Sequence, residues 1–157
     1  MAARATALAL AALLVLAGCT SLGPAPPEDP RRELTDVPFF PQTAYQCGPA
    51  ALATVLGATG IDTTPEALAP LVYIPGRKGS LQVEMLAAAR RHGRVAVVLA
   101  PEFADLRTEL DAGRPVLVLQ NLGALGIRRW HFAVVVGYDA ERDALILRSG
   151  TRRRHVE

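Results

Sequence analysis

Between Gly48 and Gly60 the apolar positions recur at helical spacing. Leu52, Val55 and Leu56 fall at i, i+3 and i+4, Thr59 follows at i+7, and Gly60 ends the run. A second short helix is predicted from Thr64-Pro65-Glu66, with threonine as its cap and proline in its first turn. Pro75 to Gly79 reads as a turn. Ser80 is expected to cap a third helix that carries Leu81, Met85, Ala88 and His92 on one face and stops at Gly93. Val95 to Ala100 reads by composition as a buried strand. Phe103, Leu106 and Leu110 then mark a short amphipathic helix closed by Gly113. After this the pattern becomes that of strands: Pro115 to Gln120, Trp130 to Tyr138 and Ala144 to Arg148, with Asp139 to Asp143 as a turn. Alternation puts His131, Ala133 and Val135 on one face of the middle strand and Phe132, Val134 and Val136 on the other. Ahead of all these, Val37 to Phe40 reads as a short opening strand, confined to an edge by Pro38 and Pro41. Helices first and an antiparallel sheet last predict an α+β fold.

The first eighteen residues follow a different logic. Arg4 precedes an apolar run from Ala5 to Ala17 that only Thr6 interrupts. A spanning helix needs roughly 20 apolar residues, so this shorter run is expected to be the core of a secretory signal removed after export. Leu16-Ala17-Gly18-Cys19 closes it and resembles the bacterial lipobox, which implies that Cys19 becomes an acylated N-terminus and membrane anchor. Thr20 after that cysteine, in place of aspartate, implies sorting to the outer membrane, at its periplasmic face. Residues 19–36 carry Pro24, Pro26, Pro27 and Pro30 and are expected to form a semi-extended tether. The folded domain is placed at 37–151, and 152–157 is expected to be a basic, solvated tail.

Composition narrows the picture further. A length of 157 residues, half of them apolar, fits one core. Seventeen basic residues against fifteen acidic ones, with few and scattered aromatics, argue against nucleic acid as a partner. No set of His, Cys and carboxylates has the spacing of metal ligands, and no cofactor is expected. The stretch from Asn121-Leu122-Gly123 to Gly126 lacks the lysine and the following helix of a phosphate loop, so it reads as a plain loop. Two cysteines are present, and lipidation of Cys19 leaves Cys47 as the one free thiol of an exported chain.

That thiol stands in Tyr45-Gln46-Cys47-Gly48-Pro49-Ala50, where a helix is predicted to begin. A helix N-terminus carries roughly half a positive charge and several unpaired N–H groups, which together favour a thiolate. Gly48 permits close approach of a substrate backbone, and Pro49 sits where its missing N–H costs nothing. Gln42 can turn its amide toward the thiol and donate to a developing oxyanion. Thiol chemistry also needs a base, and His131, opening a strand of strong β-formers, is the best-placed candidate. His92 ends a helix, where a cation is favourable for structural reasons alone, and His155 lies in the tail.

Pro41-Gln42, Cys47-Gly48-Pro49-Ala50 and His131 with its valine-rich strand and Gly137-Tyr138 resemble the bacteriocin-processing cysteine peptidase family, over about Val37 to Thr151. The resemblance implies a papain-like fold and a site of glutamine, cysteine, histidine and aspartate or asparagine. Carried over by position, Cys47 is the nucleophile, Gln42 the oxyanion donor and His131 the base. Family members fused to export transporters cut leader peptides after paired glycines; this chain is similar to the standalone lipoprotein members. The third residue follows on the next strand in that family, in an Asp-Pro-like context. Here Leu147-Arg148-Ser149-Gly150 occupies the place. Ser149 can accept a hydrogen bond from imidazole but supplies no charge, and Asp139 or Asn121 are the alternatives. Relatives continue past this strand, so a C-terminally truncated domain with an unprotected sheet edge is expected.

Three functions follow. The first is a membrane-anchored thiol peptidase acting on a peptide or protein substrate. The second is a binding or assembly lipoprotein that keeps the fold with an impaired site. The third is a hydrolase of peptidoglycan peptides, ranked last because such lipoproteins show Asp-Cys-Ser-Gly where this chain has Gln-Cys-Gly-Pro.

Overall fold

The computed structural model describes residues 29–42 and 45–156. The signal segment 1–18 and Cys19 lie outside the described residues.

Among the described residues four α-helices form: α1 (Cys47–Ala58), α2 (Pro65–Val72), α3 (Gln82–Arg91) and α4 (Phe103–Asp111). Thr64 caps α2, its hydroxyl accepting from Ala67 N at 3.3 Å. Strands β1 (Arg31–Glu33), β4 (Val116–Asn121), β5 (Trp130–Asp139), β6 (Ala144–Ser149) and β7 (Arg152–Val156) make one five-stranded sheet. Every pairing in it is antiparallel. β5 is its axis: β4 pairs with the first part of one edge, β1 with the last three residues of that same edge, and β6 with the other edge. β7 then covers β6. Two short strands, β2 (Tyr73–Ile74) and β3 (Gly79–Ser80), form a separate hairpin around a 3₁₀ turn at Pro75–Arg77. The architecture is α+β, as the pattern of helices and then strands predicts.

The sheet is buried on both faces, which explains the nearly unbroken apolar run of β5. Phe132, Val134, Val136 and Ile146 pack under α1, α2 and α3 with Leu52, Leu56, Leu68, Val72, Met85 and Ala88. On the opposite face, Ala133, Val135, Tyr138 and Leu147 pack against Leu110 of α4. The alternation expected for 131–136 therefore holds, but Tyr138 joins the Ala133 face. A β-bulge between Val135 and Gly137 shifts the register by one residue and turns the ring over. There Tyr138 donates to Asp111 Oδ1 at 2.8 Å, stacks edge-on against Phe103 at 6.0 Å and lies under the Arg107 guanidinium. Burial and the neighbouring Asp111 carboxylate push its phenol above the ordinary value.

Several boundaries differ from those the sequence suggests. The sheet begins at Arg31, inside the segment expected to be tether, and Val37 to Phe40 is not a strand. Pro38 and Pro41 remove two donors there, whereas Arg31–Glu33 can pair through backbone alone; charged side chains also suit an edge. β1 passes so close to β5 that a Cβ at Gly137 would collide with Arg32 O and stand 2.9 Å from Glu33 Cα. Arg152 to Val156 is not a solvated tail but β7, and it covers the β6 edge that was expected to lie open. Val95 to Ala100 forms no regular element and joins no ladder, and Val95, Val97 and Val98 are exposed. Arg90 Nη2 holds Ala96 O and Arg94 Nη2 holds Thr59 O, both at 2.8 Å, which ties this segment to the helices rather than to the sheet. Among the described residues, no helix is long and apolar enough to cross a membrane.

Candidate active site

Cys47 is the first residue of α1 and is half-buried against the core cluster that contains Phe132. The start of this helix is unusual in its donors. Gln46 offers no side-chain cap, Pro49 has no N–H, and Ala50 N already donates to Gln46 O at 3.2 Å. The Cys47 and Gly48 N–H groups have no intrahelical acceptor, being in the first turn. A carbonyl oxygen brought to the thiol therefore meets unspent donors and the positive end of the helix.

Gly48 is fixed by a neighbour remote in sequence. A Cβ at this position would collide with Ser80 Oγ, stand 2.6 Å from Ser80 Cβ and touch Met85 Sδ at 3.5 Å. Ser80 does not cap α3, as the sequence suggested; Leu81 is the N-cap and no side chain caps the helix. Ser80 lies in β3, its hydroxyl buried and without a hydrogen-bond partner among the described residues. Gly48→Ala is accordingly expected to destabilise the domain by about 1–3 kcal/mol through overpacking. A thermal melt checks this, and adding Ser80→Gly should restore much of the loss. The hairpin that carries Ser80 also leans on the approach to Cys47, with Lys78 Nζ 5.6 Å from the centre of the Tyr45 ring. Tyr45 itself is exposed with φ of 65°, in the left-handed region.

His131 is the second residue of β5, and Ser149 is the last of β6. His131 Nε2 lies 3.0 Å from Ser149 Oγ, and Ser149 is buried. With Nε2 as donor to that hydroxyl, Nδ1 is the nitrogen that can exchange a proton with a thiol. Gln42 stands between the two strands. Its Nε2 donates to Phe132 O at 3.3 Å, its Oε1 accepts from Gly150 N at 2.9 Å, and its own N–H donates to Gly150 O at 2.8 Å. The residue after His131 and the residue after Ser149 are thus clamped by one side chain, and that side chain is five residues from Cys47. One N–H of the Gln42 amide is committed to Phe132 O; an amide nitrogen has a second to offer.

The other sequence candidates for the third position are elsewhere. Asp139 ends β5, eight residues from His131, which at strand rise is about 25 Å away. It binds Arg142 through Nη1 at 2.7 Å and through the backbone N–H at 3.2 Å. Burial raises its carboxyl pKa, but those bonds and the Arg142 charge outweigh it and hold the group below the usual range. Asn121 faces Trp130 across the ladder, and its Oδ1 accepts from Gly123 N at 3.0 Å and Arg129 N at 2.8 Å, closing the loop before β5. Neither residue is disposed to orient His131. His92 closes α3, its Nδ1 2.8 Å from Ala88 O, and the His155 backbone is paired in β7. Among the described residues, no group of three or more His, Cys, Asp or Glu side chains could hold a metal ion.

Sequence reasoning missed Ser80 and the Phe132 and Gly150 backbone groups. No local signal marks them, since each acts across a gap of tens of residues.

Compared with protein families, the chain matches the Peptidase_C39 like family over residues 34–151, three-quarters of its length. No curated protein and no solved structure matches it.

Proposed function

The chain belongs to the Peptidase_C39 like family and so carries a cysteine peptidase domain; from that premise we propose that it is a membrane-anchored thiol peptidase that cleaves peptide bonds in the periplasm through Cys47 and His131. The observation that carries this reading is the His131–Ser149 contact of 3.0 Å, with the residue after each held by Gln42, five residues before Cys47 in the sequence. In the proposed cycle the Cys47 thiolate attacks the scissile carbonyl carbon. The oxyanion is held by the Cys47 N–H and by the second N–H of Gln42. Protonated His131 then gives its Nδ1 proton to the leaving amine, which departs and leaves an acyl-enzyme. Water, deprotonated by the same imidazole, attacks the thioester and releases the acid product and the thiol. Ser149 keeps the ring in the tautomer and orientation this requires. The anchoring part of the proposal rests on the lipobox-like Leu16-Ala17-Gly18-Cys19 and the proline-rich residues after it. The outer membrane is proposed on Thr20.

A specific observation favours a second reading. Ser149 brings no negative charge to imidazole, so a binding or assembly lipoprotein with an impaired site is the alternative. Incubation of the full chain with a mixture of unrelated peptides, read by mass spectrometry, separates the two. The peptidase reading expects new termini that disappear when the chain is first treated with iodoacetamide. Intact peptides, with Cys47 alkylated at the rate of a free thiol in water, would leave the binding protein.

A further inference from the structure

The loop that leads from β4 to His131 breaks two local rules at once. Ile127 N donates to Ala124 O at 3.0 Å, and the two residues between have positive φ, 54° for Leu125 and 83° for Gly126. This is the sign pattern of a type I′ hairpin turn, whose first central position favours asparagine, aspartate or glycine. Leucine there is strained, and it gains nothing by contact, since Leu125 is 101% exposed. Ile127 is 72% and Trp130 56% exposed, and Leu122 also faces solvent. Nor is the loop slack. Leu122 N donates to Arg129 O at 2.8 Å, and Asn121 Oδ1 ties Gly123 and Arg129 together. The β4–β5 hairpin therefore continues past the sheet as a stiff projection with an apolar tip. A residue that costs the fold both strain and exposure points to a use outside the fold.

From this we infer that the 122–130 projection is a membrane-docking element that inserts Leu125 and Ile127 into the interface of an anionic bilayer. Its shape favours a lipid surface over a peptide. Peptide and ligand sites are concave, whereas this tip is convex and Leu125 has no neighbour with which to form a groove. Its chemistry agrees. Arg128 and Arg129 are exposed directly behind the apolar tip, where lipid phosphates would lie, and no acidic residue occurs between Asn121 and Trp130. Trp130 stands next to them, the place that interfacial tryptophans take at the headgroup level. Because Trp130 immediately precedes His131, docking would bring the candidate site to the membrane surface.

Trp130 is the chain's single tryptophan, so its fluorescence reports this loop alone. The full chain, reconstituted with vesicles of zwitterionic lipid with or without anionic lipid, should show blue-shifted emission. Nitroxide-labelled lipid should quench it, more strongly when anionic lipid is present. Leu125→Asp and Ile127→Asp should abolish the shift and the quenching, even while the N-terminal segment keeps the chain on the vesicles. Arg128→Glu with Arg129→Glu should remove the preference for anionic lipid. Leu125→Asn guards against misfolding: it suits the turn, should melt no lower than the parent, and should still lose quenching. Three results would each overturn the proposal. One is unchanged emission in a chain that sediments with vesicles, and another is quenching that Leu125→Asp leaves intact. The third is a shift produced by soluble peptide without lipid, which would make the loop a peptide contact.

Discussion

Cys47→Ala is expected to abolish peptide cleavage, and His131→Ala to lower kcat/KM by about 10²–10⁴-fold, the range that a positioned acid–base group contributes. The two losses should not add. If thiol and imidazole act as one unit, the double variant is no worse than Cys47→Ala alone. The folded state should survive both changes. Cys47 is half-buried at a helix end and forms no disulfide, and His131 is only partly buried at the start of β5. Melting temperatures close to that of the parent would assign the losses to chemistry. A His131→Ala enzyme with undiminished kcat/KM would remove imidazole from the mechanism.

The second large effect is a gain. Ser149→Asp places a carboxylate where Ser149 Oγ now meets His131 Nε2, in a buried position close to imidazole. An opposite charge at that distance favours imidazolium, and it strengthens the orienting bond. The expected result is a rise in kcat on the order of tenfold, since the protonated ring is the species that protonates the leaving amine. The alkaline limb of the pH–rate profile should move up with it. Ser149→Asn is the neutral control: it can orient the ring without supplying charge, so it should leave the alkaline limb in place. A Ser149→Asp protein that folds but has unchanged rate and pH profile would show that the missing charge does not limit this site. The Gln42 clamp bears on this result. Gly150, the residue after Ser149, is held by two bonds to Gln42, so a larger side chain at 149 has little freedom to swing away from the histidine.

Much of this arrangement is legible in the sequence because it rests on strong local signals. The start of α1 at Cys47 follows from helical spacing after a Gly-Pro pair, and β5 from a run of β-formers opened by His131. What escaped was decided by partners. β1 and β7 are written in charged residues, Arg31-Arg32-Glu33 and Arg152-Arg153-Arg154, and exist because β5 and β6 offer them a backbone edge. Val95 to Ala100 has the composition of a strand and still forms none, since Arg90 and Arg94 hold it to the helices. Between the candidates for the third site residue, strand rise alone speaks against Asp139, which shares a strand with His131. That Asn121 lies across from Trp130 with its Oδ1 spent on Gly123 and Arg129, while Ser149 meets His131, depends on cross-strand register and contacts that no local pattern encodes. The roles of Ser80 and the Gln42 clamp depend on contacts over 32 and 108 residues and leave no trace in any local pattern.

Cys47 is proposed to be an activated thiol, with His131 as the group that activates it. The rate of Cys47 alkylation by iodoacetamide at neutral pH tests this directly, measured on the full chain and on His131→Ala, with Cys47→Ala correcting for reaction at Cys19. The parent should react several-fold faster than a cysteine in a short unstructured peptide, and a folded His131→Ala protein should fall back toward the peptide rate. A parent that reacts no faster than the peptide, with no change on removal of the imidazole, would sink the activated pair and leave the domain a scaffold.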